Sequence, residues 1–278
     1  MLNIYKTDMR RVLKDKLFLV VCIIGAVFSA INPLLYKLLE VIANPETDPM
    51  MGELFGSYFY AKSMFFESFL PGNNFGLIMP VLIAIILCKD FSYGTVRNKI
   101  ICGCSRVKIF LSLFFTSATV ICLTMLLHAL LTLFIGLIFF EYQATPISIS
   151  DVGYFIASTG MEIIIYIAIS AIVAYLCVAM KNMGLVIVMY IAVNFLFTIA
   201  DGILAMGAQM IAITDPDNAA LKIMEFFRKI NIFSSTAIIG TGSSYTFENI
   251  IYIVLPAVLL SALFVAFGIM VFRKKDIK

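Results

Sequence analysis

The sequence predicts an all-α, polytopic membrane protein with six transmembrane helices, and three observations predict it. Hydrophobic residues make up 62% of the 278-residue chain and charged residues only 13%. The mean hydropathy is +1.03. A water-soluble domain of this size needs more charge to cover its surface. Six apolar runs approach or exceed the ~20 residues that cross a bilayer core. Finally, the cations fall overwhelmingly between alternate runs, as the positive-inside rule requires of a multi-span chain.

The runs are expected at about 17–39, 70–88, 109–140, 154–180, 183–213 and 250–272. The first is interrupted by Asn32-Pro33, read as a kink with its freed carbonyl satisfied locally. The second opens on Pro71-Gly72-Asn73-Asn74. The third and fifth are longer than a bilayer needs, which implies tilt, protrusion or a turn at the interface. No internal repeat and no separate soluble domain is evident, so 1–278 reads as one transmembrane domain. Residues 1–16 are too polar for a cleavable signal peptide, and the run that follows is long enough to stay in the membrane.

Fifteen cations fall in residues 1–16, in loop 89–108, at Lys181 and in the tail from Arg273. The opposite loops hold only Lys62, Lys222, Arg228 and Lys229. Both termini are therefore expected inside the cell. Residues 3–16 set Ile4, Met9, Val12 and Leu13 among five cations, which reads as an amphipathic helix on the inner leaflet or as a basic anchoring tail. Residues 40–69, with Pro45, Pro49 and an aromatic-rich stretch, suit a helix or turn in the outer interface. In 214–249, Asp215-Pro216-Asp217 is expected to cap a helix from Leu221 to Ile230, ahead of a Ser/Thr/Gly-rich stretch from Ser234 to Thr246.

Candidate functional residues are few. Cys22, Cys88, Cys102, Cys104, Cys122 and Cys177 all fall in spans or on the inner side, which argues against a disulfide framework. Cys102-x-Cys104 lacks the second pair and histidine of a zinc site, so no metal is expected. Within the spans, Glu162, His128 and Asn32 are the polar candidates. Glu162 lies roughly 12 Å into the fourth run and is expected to pair with a group such as His128 of the third, as a neutral interhelical hydrogen bond or as a substrate contact. His128, the single histidine, reads as an interhelical donor. Asp201 falls roughly 27 Å along the fifth run, at its outer boundary.

Loop 89–108 is the most informative stretch. A short helix from about Thr95 to Cys102, ended by Gly103, fits its composition, and Ser105 fits a cap for the third span. Such an element receives force from an inner partner, or it simply anchors to anionic lipid. Its run Asp90-x-x-x-Gly94-Thr95-x-Arg97-Asn98-Lys99, followed by Gly103-x-Ser105-Arg106, resembles the loop after the second span in permeases of the ABC type-2 transporter family. The likeness is closest to small bacterial members linked to export of peptides or self-protection against them. Many relatives carry proline where this chain has Gly103.

That resemblance implies a permease subunit in the bacterial cell membrane, not itself an enzyme. It would move a hydrophobic or amphipathic substrate out of the cell, as one of a pair of like or unlike subunits. The chain has no G-x-x-x-x-G-K-[ST] loop, so ATP would be bound by a separate cytoplasmic ATPase subunit. That subunit would dock on Gly94, Thr95, Arg97, Asn98, Lys99, Gly103, Ser105 and Arg106. No cofactor of its own and no nucleic acid is expected, and membrane lipid is the other partner. An intramembrane hydrolase lacks its clustered groups here. A secondary transporter and a non-transporting sensor or immunity protein remain as alternatives.

Overall fold

The computed structural model describes residues 2–43, 59–72, 74–180, 182–214, 218–235, 239 and 247–275. Ten helices are described: α1 (Leu2–Lys14), α2 (Lys16–Ala43), α3 (Ala61–Glu67), α4 (Asn74–Ser92), α5 (Thr95–Ile101), α6 (Arg106–Phe139), α7 (Ile149–Met180), α8 (Met183–Thr214), α9 (Ala219–Ile230) and α10 (Phe247–Lys274). Six of them, α2, α4, α6, α7, α8 and α10, are long and apolar enough to cross a membrane.

The apolar runs gave the number and order of these helices, and the structure moves their ends. α2 runs on to Ala43, straight through Asn32 and Pro33. α4 begins only at Asn74, because Leu70-Pro71-Gly72 does not join the helix. α7 starts at Ile149, five residues ahead of the expected boundary. Pro45, Pro49, Asn73, Lys181, Asp215-Pro216-Asp217, most of 236–246 and Lys278 lie outside the described residues. The cap described for α9 is Asn218, whose side chain accepts from the Ala220 amide.

The six long helices alternate in direction around α7. Buried residues fill 67% of the membrane-length window of α7, against 22% for α2, 17% for α8 and 11% for α10. α7 is therefore the central helix, packed on α4, α6, α8 and α10, while α2 lies on α4 and α6. The outer helices keep broad apolar faces exposed, such as Phe195, Leu196 and Ile203 on α8 and Leu255, Leu259 and Leu263 on α10. In lipid such faces carry no penalty.

One short element departs from the expectation of a surface piece, and another is tied to the bundle. α3, drawn from the stretch expected in the outer interface, buries Met64, Phe65 and Phe66 against the bundle. Phe65 packs on Phe155 of α7 with ring centroids 4.6 Å apart. The aromatics bury more apolar area in the protein than an interface offers. α1 does not merely precede α2. Asp15 separates the two helices and caps the second, its carboxylate accepting the Leu17 amide at 2.9 Å. α1 then packs along α6, Tyr5 bonding Thr119 at 2.9 Å and Asp8 bonding Ser112 at 2.6 Å.

Candidate functional site

Loop 89–108 folds into a defined projection. Gly94 (φ 70°) precedes α5 and Gly103 (φ 83°) follows it. Both sit in the left-handed region that side chains avoid. The Gly103 amide bonds Ile100 O at 2.9 Å and the Cys104 amide bonds Lys99 O at 3.0 Å, the pair of bonds that closes a helix on a glycine. Ser105 then opens α6, its hydroxyl accepting the Lys108 amide at 3.4 Å. Val96 anchors α5 in the core, while Arg97, Asn98, Ile101 and neighbouring Tyr93 are exposed.

The structure divides the expected contact residues into two sets. Lys99 turns inward, its ammonium 2.5 Å from the buried carboxylate of Asp8 on α1. Arg106 also works internally: its guanidinium donates to the carbonyls of Phe272 (3.3 Å), Arg273 (2.8 Å) and Lys275 (2.8 Å), capping α10. Lys275 in turn donates to Val178 O and Ala179 O at the end of α7. Lys99 and Arg106, expected as contacts for a partner, are thus engaged within the chain. Lys99 meets a buried carboxylate, and Arg106 meets carbonyls at a helix end. Arg97 and Asn98 remain available at the surface.

Asp8, Asp15 and Ser112 are the residues that sequence reasoning missed here. Arg11 pairs with buried Asp90 and lies 3.7 Å from Asp8. Lys89 reaches Asp15 at 2.9 Å. Burial pushes the Asp15 carboxyl up, but the Leu17 amide and Lys89 outweigh it and hold it below the usual carboxylate range. This network ties α1, the end of α4, α5 and α6 into one unit. Between α1, α4 and the start of α5 lies a pocket of about 360 Å³, lined among others by Arg11, Lys14, Lys89, Asp90, Tyr93 and Thr95. The signal that could have revealed the network was an acid, Asp8, standing three residues before Arg11 in a strongly basic helix.

The intramembrane candidates do not come together. His128 faces α2: its Nδ1 lies 2.7 Å from Ser29 Oγ and 3.1 Å from Gly25 O. Phe75 packs against it with its ring tilted, at 4.7 Å between centroids. A pocket of about 110 Å³ opens beside it, lined by Cys22, Gly25, Phe75 and Thr124 among others. The expected Glu162–His128 pair is therefore absent: the imidazole turns its Nδ1 to Ser29 and the Gly25 carbonyl of α2. Glu162 is fully buried on α7, and neither carboxyl oxygen has a hydrogen-bond partner among the described residues. Asn32 sits half-buried in α2, one turn before Tyr36, which donates to Glu67 at 2.5 Å. Burial pushes the Glu67 carboxyl up, partly offset by that phenol. Asp201, expected to be an ordinary boundary residue, binds Arg228 of α9 at 3.1 Å. No cluster of three metal-ligating side chains occurs among the described residues.

A bundle of this form, with a polar projection at its basic end, is a multi-pass membrane protein. The chain belongs to the family described as Protein of unknown function (DUF2705), whose model matches residues 18–278. No curated protein matches the chain.

Proposed function

We propose that this protein is the transmembrane permease subunit of an ATP-driven exporter of hydrophobic or amphipathic molecules in the bacterial cell membrane, with both termini inside. The observation that carries this reading is α5: a helix fixed by two left-handed glycines, pinned inward by Val96 and Lys99, and presenting Arg97, Asn98 and Ile101 outward. An ordinary lipid-anchoring loop needs cations but no such fixed shape. A cytoplasmic ATPase subunit would grip this face and the adjoining pocket. The ion pairs to α1, α4 and α6 would pass its movement into the spans as a shift between two packings. A second permease subunit would complete the pathway against one of the open apolar faces. The outward Leu2 and Leu13 of α1 would hold lipid.

The test is affinity purification from native membranes with mass spectrometry of what stays bound, on wild type and on Arg97→Glu/Ile101→Asp. A stoichiometric ATP-binding subunit that is lost in the variant, with the variant still folded in the membrane, supports the reading. Absence of any ATPase from several mild detergents overturns it. One observation favours a second reading, a secondary transporter: the carboxyl of Glu162, unpartnered among the described residues, suits an ion-coupled site. Transport that follows an imposed proton gradient and persists without ATP would select that reading.

A further inference from the structure

A stripe of polar residues runs down α7 at every fourth position: Ser158, Glu162, Tyr166 and Ser170, all buried. Three of them have hydrogen-bond partners. Ser158 donates to Tyr154 O at 2.7 Å and Ser170 to Tyr166 O at 2.6 Å, each one turn back. Tyr166 crosses to Phe69 O at 2.7 Å. Glu162 stands apart, fully enclosed with both oxygens unpartnered among the described residues. A carboxyl kept only for structure would donate its proton to a neighbouring carbonyl, as each of these hydroxyls does.

Its position adds a second observation. Glu162 lies close to the middle of α7, roughly 20 Å from Ile149 at 1.5 Å per residue. Tyr166, one turn on and on the same face, reaches into the non-helical break between α3 and α4. That break exposes carbonyls within the bundle: Phe69 O is met by Tyr166 and Pro71 O by the Asn194 amide at 2.9 Å. Gly76 is packed so closely on Leu70 O that a methyl group there would overlap the carbonyl. Broken helices beside a mid-depth acid are the setting in which membrane carriers hold small ions.

We propose that Glu162 is a proton-exchange site in the core of the bundle. In the packing described here its carboxyl carries a proton, because an unpaired carboxylate in this interior is too costly. When α7 and the 69–72 break shift apart, water reaches the carboxyl, takes the proton as hydronium and leaves carboxylate; the reverse step restores the neutral acid. Tyr166, on its own helix, interacts with it electrostatically, and Tyr190 on α8 and Cys122 on α6 interact with Tyr166 in turn. On α4 the titratable residues Cys88, Lys89 and Asp90 lie at its far end, and Cys177, on α7 next to Cys88, is fifteen residues beyond Glu162. On α10, Tyr252 packs on Phe226, and Arg273 and Lys274 end the helix. Glu67 of α3 is engaged by Tyr36. No described cation therefore faces Glu162 to hold its charge.

A role in transport rests on the protein being a transporter of either kind proposed above, but the site itself is tested without any ATPase. The full chain in lipid nanodiscs is treated with N,N′-dicyclohexylcarbodiimide, which attaches to protonated carboxyls in apolar surroundings, and the adduct is mapped by peptide mass spectrometry. The expected result is a label on Glu162 that falls about tenfold per pH unit above the site's midpoint and is lost in Glu162→Gln. Mapping is done on the wild type, so the result does not hang on the variant folding. No adduct at Glu162, or one that does not change between about pH 5 and pH 9, overturns the proposal. A pH-dependent adduct on a chain that binds no ATPase keeps the proton site and removes the permease reading alone.

Discussion

Replacing Asp8 with Asn should be among the most damaging single changes at the basic end of the bundle. Asp8 has a side chain 1% exposed and accepts Lys99, itself 14% exposed, at 2.5 Å, and Ser112 at 2.6 Å. The substitution leaves the Lys99 ammonium enclosed without its counter-charge, since the other nearby acid, Asp90, is already paired with Arg11. Stranding one partner of a buried pair costs about 3–5 kcal/mol. At ~2–4 °C per kcal/mol, that is a fall of about 6–20 °C in Tm. The chain supplies its own probe: Cys88 and Cys177 are buried and become reactive to a maleimide dye on unfolding, once the accessible cysteines have been blocked. Asp8→Asn/Lys99→Met should recover at least half of the loss, because no uncompensated charge remains. A Tm within about 2 °C of wild type for Asp8→Asn, or a double variant whose loss is the sum of the singles, would refute the argument.

The same assay serves three further changes. Gly103→Ala places a methyl group at φ 83° and should cost about 1–2 kcal/mol, all of it backbone strain, because the space around the residue is open. Arg106→Ala removes three carbonyl bonds at the end of α10, and a fall of about 2–8 °C in Tm is expected for about 1–2 kcal/mol. For Glu67, burial raises the carboxyl above its ordinary value of 4.5, with Tyr36 opposing. The folded state therefore binds this proton more tightly than the unfolded chain, so stability falls as pH rises from 4.5 through the raised value. Glu67→Gln should flatten that stretch of the Tm–pH curve, and an unchanged slope would show that Glu67 is not its source.

Much of this molecule was already determined by its sequence alone. Continuous apolar runs can be satisfied in lipid only as helices, so their number and order followed from length and hydropathy. The gathering of cations at one end followed from their place between alternate runs. The form of α5 was legible too, because Gly94 and Gly103 mark left-handed positions and Ser105 a cap, signals that act within a few residues. What only the tertiary structure decided are partnerships across long separations. That Lys99 belongs to Asp8, Arg106 to the end of α10 and His128 to Ser29 cannot be read from residues 91, 166 and 99 positions apart, because a charge or donor selects whichever acceptor packing brings near. For the same reason Glu162, which looked ready for His128, has no hydrogen-bond partner among the described residues: both helices are apolar nearly all round, and hydropathy alone does not say which way a helix turns about its axis.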